Sequence, residues 1–233
     1  DISEMTIAPT KFSTFIYDSE GNQTAKLVAS NSNRIPVSMD KIPENLAHAF
    51  VALEDVRFYE HNGIDPIGIF RAGFQFLITK GEEQQGASTI TQQLLKNTIF
   101  TDWTEEGDNL IKSVKRKLQE QYLAVELTKV LSKEEILERY MNEINLGQNT
   151  LGVEAASQRY FGKSVSELNL SECATIAVIT QNPSKWNPIS HPEQNAERRK
   201  RCLDKMLELE FITQAEYDEA MADNVYERIE RHN

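Results

Sequence analysis

The stretch ENLAHAFVALEDVRFYEH, residues 44–61, carries an apolar stripe that runs into two adjacent acids, an aromatic pair and a histidine. Leu46, Ala49, Phe50 and Leu53 recur at helical spacing, so Glu44 to Asp55 reads as an amphipathic helix. At about 100° per residue, Glu54 falls at the edge of that stripe and Asp55 on the opposite, solvated side. A carboxylate beside an apolar face loses water, which raises its pKa toward the range a general base needs. Two readings are open: Glu54 is a boundary residue of an ordinary helix, or it is the working carboxylate of an active site.

The rest of the chain narrows the choice. With 233 residues it can bury one good-sized core or two modest lobes, and 39% hydrophobic with 26% charged residues describes a globular chain. A net charge of −11 argues against a nucleic-acid binder, which needs a basic footprint. Cys173 and Cys202 fall on apolar helix positions and read as buried thiols, with a single bridge as the alternative. No apolar run approaches the roughly 18 residues of a membrane span. The chain opens on Asp1 rather than Met, as an excised or processed fragment does.

Residues 1–40 differ in character from residues 41–233. FSTFIYDSEGNQTAKLVAS (12–30) reads as two short strands around the turn Ser19–Asn22, and NRIPVSM (33–39) as a third extended piece. From residue 41 to 233 helix signals dominate. Asp65-Pro66 is an N-cap with proline in the first turn, Ile67, Phe70, Phe74, Leu77 and Ile78 form an apolar face, and Gly81 closes the helix. TITQ (89–92), SKEE (132–135) and TQAE (213–216) have the capping-box pattern. Ile111, Val114, Leu118, Tyr122 and Val125 mark a long central helix, and later helices run through 155–160, 172–180 and 193–209. The expected fold is mainly α with a short N-terminal β segment.

Two further stretches carry polar residues that packing alone does not demand. In KSVKRKLQEQY (112–122), Arg116 and Glu120 share a helix face and Lys117 flanks it. That is either a surface ion pair, worth about 0.3–0.5 kcal/mol, or part of a site for an anion such as phosphate, since Lys112 and Lys115 join it in an acidic chain. GASTITQQLLKN (86–97) leads small and hydroxyl residues into a helix N-terminus, where free N–H groups meet an anion or a hydroxyl. On that helix Gln93, Lys96 and Asn97 share one face, while Ile90 and Leu94 point to the core.

Together with KRKLQEQYLAVELTKVLSKEEILERYMNEINLG (115–147), GVEAASQRYFGKS (152–164) and LNLSECATIAVITQNPSKWNP (168–188), these stretches resemble the peptidoglycan glycosyltransferases of family 51, the chain-polymerising domains of class A penicillin-binding proteins. Five motifs in the family's order, spanning about residue 40 to 210, favour the active-site reading of Glu54. The resemblance implies a lysozyme-like, two-lobed helical fold. It implies Glu54 as general base on the acceptor hydroxyl of lipid II, and Glu120 as the second carboxylate, assisting departure of the diphosphate directly or through a weakly bound divalent cation such as Mg²⁺. By the same resemblance Lys96, Arg116 and Lys117 surround the diphosphate, Ser88, Thr89 and Gln93 line the donor site, and Asp55, Phe58 and His61 complete the first motif. No organic cofactor and no nucleic acid are expected.

The resemblance also implies partners: lipid II, the growing lipid-linked glycan, the membrane surface and moenomycin-type inhibitors. It places the domain on the extracytoplasmic face of the membrane, with an anchoring helix before Asp1 and a transpeptidase domain after Asn233 in a bifunctional protein. Of the segment between Asn97 and Lys115, Ile99, Phe100 and Trp103 either pack inward or touch the membrane. A lysozyme-like hydrolase is the rival enzyme, but it has no diphosphate for the basic cluster to neutralise. A non-catalytic wall- or lipid-binding module is the other rival, and both glutamates and the basic set argue against it. ERRKR (197–201) reads as a solvated helix face with ion pairs, or as a contact for acidic lipids. His48 and His191 have no metal-ligand spacing.

Overall fold

Capping chemistry sets four of the nine α-helix starts among the described residues. Thr89, Asn169 and Thr213 each accept a backbone N–H on the side chain while a Gln or Glu three residues on reaches back, and Ser132 with Glu135 does the same. The computed structural model describes residues 13–17, 23–28, 33–79, 86–99 and 110–231. In chain order these form β1 (Ser13–Tyr17), β2 (Gln23–Val28), β3 (Asn33–Arg34), α1 (Glu44–Glu54), α2 (Pro66–Ile78), α3 (Ile90–Thr98), α4 (Leu110–Val130) and α5 (Lys133–Glu143). There follow β4 (Thr150–Leu151), α6 (Val153–Phe161), α7 (Leu170–Ala177), α8 (Pro192–Glu208) and α9 (Gln214–Ala222). The fold is mainly α, as the sequence predicts. The turn Ser19–Asn22, the helix stop at Gly81, and Phe100 and Trp103 lie outside the described residues.

The chain divides into two compact units, one containing Glu54–Tyr140 and the other the described residues up to Leu53 together with Met141 onward. The first unit buries Phe58, Ile90, Leu94, Leu95, Leu127, Ile136 and Tyr140. The second buries Phe50, Val51, Met141, Tyr160, Ile176, Leu203 and Met206, with Cys173 and Cys202 among them as free thiols. Burial pushes the Cys173 thiol far above its ordinary range, aided by the neighbouring Glu172 carboxylate.

Three expectations change. First, β1 and β2 pair antiparallel as predicted, but β3 pairs in parallel with β4, a strand that no sequence signal announces. Arg34 reaches Glu143 at 2.7 Å, and Val37 exchanges two hydrogen bonds with the Asn142 side chain. The end of the 1–40 segment is therefore built into the second unit. Second, Arg198 and Arg199 are not part of a solvated face. The buried stripe of α8 runs Asn195, Arg199, Cys202, Met206, which turns Arg199 inward to Ser171 Oγ at 2.7 Å. Arg198 caps the carbonyls of Val178 and Thr180 at 2.6 and 2.7 Å and stacks on the Trp186 ring.

The third change concerns the apolar faces of the first unit. Ile67, Phe70, Phe74, Leu77 and Ile78 share one region of α2 as predicted, but that region faces out: Phe70 is 77% exposed and Leu77 75%. Gly68 is the buried residue of α2. On α4, Ile111, Val114, Leu118 and Tyr122 are likewise exposed, and the inward side carries Glu120, Ala124 and Leu127. Among the described residues no helix is long and apolar enough to cross a membrane.

Candidate active site

α1 ends at Glu54, and this ending corrects the position predicted for Asp55. Because the helix stops, Asp55 leaves the helical wheel and turns inward to 5% exposure instead of facing solvent. Its carboxylate lies 2.7 and 2.8 Å from His61 Nε2 and accepts the amide N–H of Ile90 at 3.0 Å. His61 Nδ1 accepts the Gly63 amide at 3.0 Å, so Nε2 is the nitrogen that donates to Asp55. Thr89 Oγ1 closes the circuit by donating to Gly63 O at 2.6 Å.

The same turn is pinned from two other directions. Arg57 Nε and Nη2 grip Asp65 at 3.0 and 2.6 Å, which holds the Asp65 carboxyl below its ordinary range. Asp65 thus occupies the N-cap position of α2 without a side-chain cap bond. Lys133, at the start of α5, donates to the carbonyls of Phe58 and His61 and lies 4.5 Å above the Phe58 ring. Burial lowers the Lys133 pKa, and the Asp55 charge opposes that shift.

Above this frame, α3 presents two consecutive glutamines. Gln93 Nε2 donates to Glu54 Oε2 at 3.3 Å, and its Oε1 accepts from Tyr140 Oη at 3.1 Å. Gln92 accepts the Thr89 amide through Oε1, completing the capping box, and donates from Nε2 to Glu120 Oε1 at 3.1 Å. Lys117 Nζ reaches the same Glu120 oxygen at 2.8 Å and Ser88 Oγ at 2.7 Å. Gln93 thus reaches Glu54, while Gln92 reaches Glu120, which also binds the Lys117 ammonium.

Of the predicted site residues, Glu54 and Gln93 form one hydrogen-bonded set and Glu120, Lys117 and Ser88 a second, both within the first unit and brought side by side by the adjacent Gln92 and Gln93 of α3. Lys96 is exposed on α3 and Arg116 half-buried on α4. Asp55, Phe58, His61 and Thr89, grouped with the substrate-binding residues in the sequence, are buried at 8% exposure or less. They belong to the frame beneath the site. Gln92, Tyr140 and Lys133 are site residues that sequence reasoning misses, and only Gln92 carries a signal, as the third position of the capping box.

The donor chemistry around Glu120 does not make a resident divalent-cation site. Among the described residues no three acidic, histidine or cysteine groups gather. Glu120 is a single carboxylate whose Oε1 is already held by Lys117 and Gln92, and the ammonium repels a second cation.

Comparison with known proteins gives the class to which this geometry belongs. The model of the transglycosylase family matches residues 20–207, and the chain belongs to that family. Among its relatives, penicillin-binding protein 1A of Clostridium botulinum (strain Langeland) is 44% identical over 89% of this chain, and that of Vibrio cholerae 45% over 88%. The Escherichia coli K12 protein of the same name is 41% identical over 90%. The chain spans about a quarter of the length of these relatives (25%, 24% and 23%). The crystal structure of penicillin-binding protein 1A from Haemophilus influenzae superposes with a TM-score of 0.50 at 27% identity, covering 94% of this chain and 21% of that one.

Proposed function

We propose that this domain polymerises lipid II into β-1,4-linked glycan by inverting transfer, releasing the lipid diphosphate. The observation that carries the reading is the pair of carboxylates met by consecutive glutamines of α3, with the Lys117 ammonium on the second of them. Glu54 takes the proton from the acceptor hydroxyl as that oxygen attacks the anomeric carbon of the donor. The bond to the diphosphate breaks on the opposite face of the sugar, which inverts the linkage.

A diphosphate leaves well if its growing charge is met, so this side of the reaction needs cations rather than a strong acid. Lys117 stands there already, held between Ser88 and Glu120. Arg116 and Lys96, on the neighbouring stretches of α4 and α3, supply further positive charge. Glu120 orients Lys117 in this scheme.

The exposed apolar surface of α2 gives the domain a way to meet a lipid-linked substrate. Phe70, Phe74, Leu77 and Ile78 are a poor match for water and a good one for the acyl boundary of a bilayer. We place this face on the extracytoplasmic membrane surface. Moenomycin-type phosphoglycolipids, which combine sugar, phosphate and lipid, suit the same site.

The test incubates the chain with labelled lipid II in detergent, beside Glu54→Gln and Glu120→Gln. The expected result is muramidase-sensitive polymer from the wild type, with Glu54→Gln slower by about 10²–10⁴-fold. Shortening of preformed glycan by the wild type, without polymer, would replace transfer by hydrolysis.

A further inference from the structure

We infer that Lys133 is a positioning residue for the Glu54 carboxylate, acting through the turn of residues 55–63. The inference rests on the reading of Glu54 as the base. Glu54 is the last helical residue of α1, so its direction depends on how the chain behind it is held. That chain is a turn without regular hydrogen bonding of its own beyond Phe58 N–H to Asp55 O, Glu60 N–H to Arg57 O and His61 N–H to Arg57 O.

Besides the Arg57 grip on Asp65, the turn is fixed at three points. Asp55 docks on the α3 N-terminus through the Ile90 amide, and Gly63 O is held by the Thr89 hydroxyl. The middle is held by Lys133, whose ammonium takes the carbonyls of Phe58 and His61 and faces the Phe58 ring. Those acceptors match an ammonium's three N–H groups, so Lys133 can be withdrawn from water without an orphaned donor.

The placement ties three elements to one charge. Lys133 is at the first turn of α5, a helix that also presents Tyr140, and Tyr140 orients the Gln93 amide that donates to Glu54. The lysine thus holds the turn on the chain side of Glu54 while its own helix holds the partner on the side-chain side. Removing the ammonium leaves the Phe58 and His61 carbonyls without this donor, and the turn relaxes where Glu54 is attached. Its position in the SKEE capping sequence hides this role, because a lysine in a first helical turn otherwise reads as solvated.

The experiment compares wild type, Lys133→Met, and Lys133→Cys alkylated with 2-bromoethylamine, which restores an ammonium at nearly the original reach. Cys173 and Cys202 are fully buried, and wild type carried through the same reagent controls for them. In Lys133→Met, kcat for lipid II is expected to fall at least ~10-fold with KM within about twofold, as loss of transition-state positioning requires. The acid limb of the kcat–pH profile should move, since it reports the base in the bound complex. Alkylated Lys133→Cys should recover most of the lost kcat. Backbone amide exchange over residues 55–63 should quicken in Lys133→Met while the rest of the unit stays protected.

An unchanged kcat, or a rise in KM alone, overturns the inference, the latter by making Lys133 a substrate contact. A drop in kcat with an unmoved pH profile and no recovery on alkylation reduces it to a general stabiliser. If the wild type makes no polymer, the transferase reading fails separately. The exchange comparison then decides: unaltered protection at 55–63 ends the positioning role.

Discussion

Gln93 donates its side-chain amide to Glu54 at 3.3 Å while Tyr140 donates its hydroxyl to the other end of the same amide at 3.1 Å. The phenol therefore decides which way the amide points. Oε1 is occupied by a donor, so Nε2 is left to face the carboxylate. Replacing Tyr140 by Phe removes the hydroxyl without emptying the core around it. We expect kcat for polymerisation to fall by roughly 3–10-fold with KM steady, and stability to drop by about 1 kcal/mol for one lost hydrogen bond. Steady-state kinetics beside a urea melt measure both. Full activity in Tyr140→Phe would show that the amide is oriented by something else.

Lys117 is half-exposed and bonds two partners of different kinds, Ser88 and Glu120. Only the Lys117 end of this i,i+3 pair is exposed, and the buried Glu120 keeps Gln92 as a partner, so Lys117→Met should cost about 1–2 kcal/mol of stability. Activity should fall much further, by ~10²-fold in kcat/KM, because an ammonium placed on a leaving diphosphate acts in the transition state. Equal losses of stability and activity would place Lys117 among structural residues instead.

Much of this site is legible in the sequence, and the parts that are not share a cause. Thr89 and Gln92 announce a helix start, and the start is there. Glu54 and Glu120 stand out in their motifs, and hydrogen bonds to neighbouring glutamines connect both to one helix. Asp55 is misplaced when the helical wheel is carried one residue beyond the point where the helix ends. Periodicity also gives the apolar face of α2 without saying whether anything covers it, and Phe70 shows that a regular stripe can point at solvent. Lys133 and Tyr140 are invisible for a related reason: their partners, Phe58 O, His61 O and Gln93, lie 47 to 75 residues away. No local pattern encodes such contacts.

The grip of Arg57 on Asp65 gives stability a pH dependence. The Asp65 pKa is lowered, chiefly by its hydrogen bonds to Arg57, so its contribution is present above the unfolded-state pKa of about 3.9. It is lost as pH falls through the lower folded value. At pH 7, Asp65→Asn should cost about 2 kcal/mol, the scale of charge-assisted hydrogen bonds to a largely buried partner. Thermal melts of both proteins should differ most above the unfolded-state pKa and converge as pH falls through the lowered folded value. A gap that stays constant with pH would assign the loss to packing.

The outward face of α2 separates membrane binding from folding. Phe70 and Leu77 are more than 70% exposed, so Phe70→Ser with Leu77→Ser removes little buried area. The melting temperature should change by less than about 2 °C, as is usual for exposed positions. Co-sedimentation with phospholipid vesicles should drop by roughly tenfold or more, given the apolar area the two side chains would insert. Unaltered vesicle binding would move the membrane contact to another part of the chain.

Gly63 joins the turn behind Glu54 to the helix that carries Glu120. Its φ of +99° lies in the region open to glycine, and an added Cβ would come 2.3 Å from the Ala124 carbonyl oxygen and 2.8 Å from Thr128 Oγ1. Left-handed strain alone costs about 1–2 kcal/mol. The clash adds to it, because α4 is a continuous helix whose backbone cannot give way locally. Gly63→Ala should therefore cost about 3 kcal/mol or more, among the larger effects of a single substitution. Activity should fall with it, since Glu120 lies one helical turn before Ala124 and moves when that turn is pushed. Thr128→Ala distinguishes the source. If the hydroxyl were the obstacle, adding that change would rescue Gly63→Ala. We expect no rescue, because the nearest atom belongs to the backbone. Melting curves of the two single variants and the double variant give the answer.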